Sequence, residues 1–172
     1  MTARRPAIAF DAAFALAALL GIAFTVFMLS DSWGASYAIF GAAVAVVVCG
    51  LALARRLDRR LTAVAAVVVA LVAIVISQVA ELPQEPSPIT SLGLAVLVGS
   101  AIRTQPPAWL AGISLGGLAV VVACWATGGF RSVAVFATLG YLAAVVVGWS
   151  MREMDKGRHG TTGRDHRAAA LR

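Results

Sequence analysis

Charge is scarce in this sequence. Asp, Glu, Lys and Arg make up 13% of its 172 residues, where a soluble domain carries roughly 25%. Cysteine and histidine are also rare, two of each. Cys49 falls toward the inner end of the second apolar segment and Cys124 toward the outer end of the fifth. Their expected difference in depth exceeds the roughly 7 Å Cα reach of a disulfide, so both read as small buried apolar residues. His159 and His166 sit in the C-terminal tail without a second ligand at i,i+4 or a Cys cluster, which excludes the usual metal patterns. There is no phosphate-binding glycine loop, no HExxH and no nucleophile elbow. No metal, cofactor or catalytic residue is expected, and the chain reads as a non-enzyme. The net charge is +6, but no basic face interleaved with aromatics is present, so nucleic acid is not an expected partner.

What is abundant is apolar sequence. Hydrophobic residues make up 60% of the chain, and the mean hydropathy is +0.89. The pattern predicts an all-α polytopic membrane protein with six transmembrane helices, over Ala7–Leu29, Ala35–Ala54, Leu61–Ala80, Ile89–Ile102, Ala108–Ala126 and Ser132–Met151. Arg4 and Arg5 before the first segment resemble a signal peptide. The largely apolar stretch of 23 residues from Ala7 to Leu29 is too long for a signal core of roughly 7–15 residues, so it reads as an uncleaved span. The fourth segment is the shortest. Its 14 residues give a helix of about 21 Å against a hydrocarbon core of roughly 30 Å, so it gains a turn or sits in a thinned bilayer.

Charge sorting sets the expected orientation. Thirteen of the fourteen Lys and Arg residues lie on one side of these segments. They comprise Arg4 and Arg5, the hairpin Arg55, Arg56, Arg59 and Arg60, then Arg103, and the tail from Arg152 onward. Arg131 is the exception, and Asp31, Glu81 and Glu85 mark the opposite side. Short cationic loops stay cytoplasmic, which predicts both termini inside. Trp33, Tyr37 and Trp125 at one boundary and Trp109 and Trp149 at the other suit the headgroup level. Residues 1–151 therefore form the expected membrane domain. Residues 152–172 form a basic cytoplasmic tail whose Gly157–Gly163 stretch reads as a flexible linker. Arg-over-Lys and Ala/Val usage points to GC-rich bacterial coding, and so to a bacterial plasma membrane.

A few positions carry candidate roles. Asp11 is a carboxylate inside an apolar run, about 6 Å from its inner boundary by helical rise. Such a group needs a partner and is a functional candidate. Arg55, Arg56 and Arg103 are the expected partners, and its role is either structural or one of signalling and ion coupling. Gly112 and Gly116 form a GxxxG on the fifth segment, and Gly140, Ala144 and Gly148 repeat small residues on the sixth. These allow close helix approach, either within one chain or across a homodimer. Ser77, Gln78 and Ser91 either line a shallow outward polar cavity or are solvated interface residues.

The layout resembles the N-terminal membrane domain of DesK-like bacterial sensor histidine kinases. The resemblance rests on Arg4-Arg5-Pro6 with Asp11, the double-Arg hairpin, the short fourth segment running into Arg103 and Pro106, and the basic exit at Arg152. It covers roughly residues 3–152. It implies a membrane-sensing input module of a two-component system, here ending at Arg172 without a kinase core, with a cytoplasmic signalling protein as tail partner. Asp11, the Arg55–Arg60 hairpin and Arg152 carry over, none of them catalytic. A small permease subunit and a membrane scaffold with a docking tail are the competing expectations.

Overall fold

The computed structural model describes residues 4–32, 35–82, 84–129 and 132–170. Trp33 and Arg131 lie outside them. Six helices follow one another, and no strand occurs among the described residues. They are α1 (Arg4–Ser32), α2 (Ala35–Ala54), α3 (Arg59–Val79), α4 (Pro88–Thr104), α5 (Pro107–Gly128) and α6 (Ser132–Ala170). Four of them, α1, α3, α5 and α6, are long and apolar enough to cross a membrane. Ala38–Ala54 of α2 and the whole of α4 are shorter apolar helices.

Local chemistry sets the ends. Asp58 caps α3 by accepting from the N–H groups of Arg60 and Leu61. Ser87 caps α4 by accepting from Thr90 N–H, with Pro88 in its first turn, where a missing N–H does no harm. α3 closes with Glu81 at a φ of +52° and a Leu82 N–H to Ser77 C=O bond, a Schellman closure.

Small residues lie inside this bundle and large apolar ones outside. Ala52, Ala66, Ala70 and Ala101 are completely buried, whereas Leu16, Leu20, Phe24, Phe27 and Val146 are each at least 60% exposed. A water-soluble protein reverses this order, because exposed apolar patches of that extent drive association. In lipid the tails solvate the large side chains, and helices associate by close packing of small ones.

The shortest helix is the hub. α4 packs on α2, α3, α5 and α6, while α1 lies at the edge against α2. α4 has 17 residues, so it starts one residue before and ends two after the stretch expected from sequence. The chain before it folds into the bundle. Glu85 and Ser87 are 3% and 7% exposed, and Pro86 is fully buried. Irregular backbone is tolerated in such a buried place where its polar groups find partners within the chain. Both cysteines lie against the chain around the start of α4. The Cys49 thiol faces the Ile89 carbonyl and the Cys124 thiol faces that of Glu85, four residues apart in the chain. Both thiols are free and buried.

α6 is the longest helix, with 39 residues. Its backbone continues as helix through the Gly157–Gly163 stretch read from sequence as a linker. Each glycine there disfavours a helix by about 1 kcal/mol relative to alanine. No proline interrupts, however, and Ala168–Ala170 favour the helical state.

Candidate functional site

α4 and α6 run in the same direction and meet through glycine. A Cβ on Gly148 would stand 2.8 Å from the Gly99 carbonyl oxygen and 3.0 Å from Ile102 Cβ. Ala144 packs on Gly99, and Gly140 faces Ser91 and Ala95. The small-residue repeat of α6 is thus spent within the chain. The α5 pair divides. Gly116 packs against Val67 of α3, while Gly112 has nothing near its Cβ position. Gly117, which the GxxxG spacing does not single out, receives the Tyr141 ring, and the Tyr141 hydroxyl donates to the Ser114 carbonyl at 3.1 Å.

Where α4 ends, α6 clamps it. Arg152 donates to the carbonyls of Ile102 (2.9 Å) and Gln105 (3.2 Å), satisfying groups that a helix C-terminus leaves open. One turn on, Arg103 and Asp155 form a two-pronged ion pair at 2.8 and 3.3 Å. Sequence reasoning offered Arg103 to Asp11, but Asp155 takes it because α6 extends past the end of α4. Asp11 instead pairs with Arg55 at 2.6 Å and with Arg56 at 2.5 Å. Arg55 also lies 5.3 Å from the Phe10 ring centroid, so the arginine end of this contact rests on an aromatic face. Arg60 donates from Nε to Gln105 Oε1 at 2.8 Å and sits over Trp109, 5.5 Å from the ring centroid. Arg59 is exposed. This is the basic end of the bundle.

A polar cluster occupies the buried entry to α4. The Glu85 carboxylate accepts from Ser87 N–H at 2.7 Å. The Ser87 and Thr90 hydroxyls are 2.9 Å apart, and the Gln84 amide donates to the Cys124 carbonyl at 3.1 Å. Burial pushes the Glu85 carboxyl up to about 7, while hydrogen bonds from Ser87 and Thr90 pull it back down. Sequence reasoning placed Glu85 only among loop acids. The available signal was that Glu85 and Ser87 each precede a proline, which favours extended backbone and carries the chain inward. The expected grouping of Ser77, Gln78 and Ser91 does not form. Ser77 is buried and bonds to its own helix at the Ile74 carbonyl, whereas Gln78 is exposed. Ser91 lines an interior cavity of about 20 Å³ with Pro86, Tyr141 and apolar neighbours. The Ser91 hydroxyl has no hydrogen-bond partner among the described residues. That volume has room for one water.

The Glu85 proton gives a stability prediction. An acid whose folded pKa is raised from 4.5 to about 7 holds a proton in the folded chain that the unfolded chain has released. Its contribution is complete below pH 4.5 and is lost as pH rises through 7, with a span of roughly 3 kcal/mol. The thermal midpoint of the chain in detergent is expected to fall between pH 5 and pH 8. Glu85→Gln is expected to flatten that dependence.

Among the described residues no group of three or more His, Cys, Asp and Glu could hold a metal ion. Comparison with known proteins gives no matching family model, no matching curated protein and no matching solved structure.

Proposed function

We propose that this chain is a signal-input module of a bacterial plasma membrane, with six spans and both termini in the cytoplasm. In this reading the basic end faces the cytoplasm, as short cationic loops do, and the Glu85 corner faces outward. The supporting observation is the α4–α6 clamp. α4 begins at the buried polar corner and ends in the grip of Arg152 and Asp155. A displacement of α4 is passed to a helix that continues beyond the bundle. Such relay needs two packings separated by roughly 2–4 kcal/mol, and the short α4 supplies a length on which bilayer thickness acts.

A permease would need polar or ionisable groups along a mid-depth path. The interior cavity beside α4 is small and almost wholly apolar, which favours sensing over transport.

The test joins the full chain, through its C-terminal end, to the dimerising kinase core of a sensor kinase. Autophosphorylation is then followed in nanodiscs of increasing acyl length. Output is expected to change with thickness, and Arg152→Ala is expected to weaken that response. Unchanged output across all thicknesses would overturn the proposal, and specific solute flux in liposomes would favour the permease.

A further inference from the structure

An apolar groove opens on the bundle surface between α3 and α5. Val64 forms one wall, Ala108, Trp109 and Ile113 the other, and the volume is about 440 Å³. Gly112 lines it too, and a Cβ there would meet nothing, so the groove is deepened by the missing side chain. Both helices begin at its basic end, at Arg59 and Pro107.

The charge at that mouth is uncompensated. Asp11 engages Arg55 and Arg56, Asp155 engages Arg103, and Glu153 engages Lys156. Among the described residues no ion pair engages Arg59 or Arg60. Asp58, the nearest acid in sequence, is turned to cap α3 through the N–H groups of Arg60 and Leu61. Arg60 is held in place by Gln105 at Nε and by the Trp109 ring. Its two terminal nitrogens have no hydrogen bond to the described residues. The start of α5 has no side-chain cap, so its N–H groups and helix dipole add to the positive potential there.

We propose that this groove binds one anionic phospholipid. An acyl chain would lie along Gly112 and Ile113, and the phosphate would sit on Arg60 and Arg59 at the mouth. An apolar slot headed by the held guanidinium of Arg60, with Arg59 next to it in the chain, matches an anionic lipid in both its parts, because arginine donates to phosphate in a fork. A zwitterionic lipid fits the slot but brings its own cation to the arginines. A second copy of the chain fits less well, since a two-fold mate in the same orientation brings the same unpaired arginines to the same membrane face.

The experiment uses the purified full chain in mild detergent and native mass spectrometry. The probes are phosphatidylglycerol and phosphatidylcholine of identical acyl chains. The wild type is expected to retain phosphatidylglycerol over phosphatidylcholine by about five-fold, the scale of one arginine against an anionic surface. Arg60→Gln is expected to abolish the preference, and Arg60→Lys to keep most of it. Gly112→Leu, whose Cβ meets nothing and whose side chain enters the slot, is expected to reduce retention of both lipids. Unfolding temperatures measured without added lipid establish that each variant is folded. Equal retention of the two lipids by the wild type would overturn the proposal. So would phosphatidylglycerol retention that survives both Arg60→Gln and Gly112→Leu. Saturation of the site by soluble glycerol phosphate would show a bare anion site and reject the acyl slot. A dimer that Gly112→Leu dissociates while lipid retention persists would assign the groove to a second copy.

Discussion

Gly148→Leu is expected to disrupt the α4–α6 pair, with a loss of about 1–3 kcal/mol for overpacking alone. The true figure should lie at the upper end. The added Cβ meets the Gly99 carbonyl oxygen at 2.8 Å, and backbone cannot turn aside as a flexible side chain can. Separating the helices to make room would also lengthen the Arg152 bonds to Ile102 and Gln105 (2.9 and 3.2 Å). Two further contacts would loosen, Gly140 on Ser91 and Ala144 on Gly99. Gly112→Leu is the matched comparison, with the same chemistry on a neighbouring helix where the Cβ position is open. Its effect on unfolding in detergent should stay within about 0.5 kcal/mol. Equal destabilisation by the two variants would contradict the packing described for α6.

The second large effect is expected at Asp11. Its carboxylate bridges Arg55 and Arg56, and the side chains of Asp11 and Arg55 are 19% and 14% exposed. Removing one partner of such a pair strands the other charge, at roughly 3–5 kcal/mol when burial is complete. Partial exposure brings the expectation for Asp11→Ala to roughly 2–3 kcal/mol after discounting for screening. Arg55 would keep its bond to the Ala52 carbonyl at 3.0 Å but lose its counter-charge. The double variant Asp11→Ala, Arg55→Leu should recover much of the loss, because an apolar replacement of both partners is often near neutral. A double-mutant cycle on unfolding free energies reads the coupling directly. An additive cycle would mean that the ion pair contributes little to holding α1 on α2.

The ion pair of Asp11 was legible from sequence for a simple reason. One carboxylate in an apolar run needs a cation, and the hairpin arginines lie at the matching helix end. The helix count was legible because each apolar run is bounded by proline, glycine or charge. The central place of α4 was not. Its brevity was plain, but brevity alone does not show that the loop before it is buried in the bundle. That outcome depends on where Glu85, Pro86 and Ser87 fold, and the composition of Glu81–Pro88 reads as an exposed turn. The glycine spacing on α5 was legible as a motif but not as an interface. A four-residue period puts Gly112 and Gly116 on one face, yet only the placement of α3 determines that Val67 reaches one of them and leaves the other open. Of the three cations offered to Asp11, Arg103 goes to Asp155 instead, because the length of α6 beyond the bundle, which brings Asp155 alongside, is a property of the folded helix.

The hub position of α4 sets an order for biogenesis. α4 is complete at Thr104, but the partner surface from Gly140 to Arg152 is translated roughly 50 residues later, several seconds at about 5–20 residues per second. Until then the face around Gly99 and the carbonyls at Ile102 and Gln105 have no occupant. The nascent chain must shelter this half-built segment at the insertion machinery or beside α2 and α3. Assembly of these six helices therefore waits for α6, which seals the middle of the bundle.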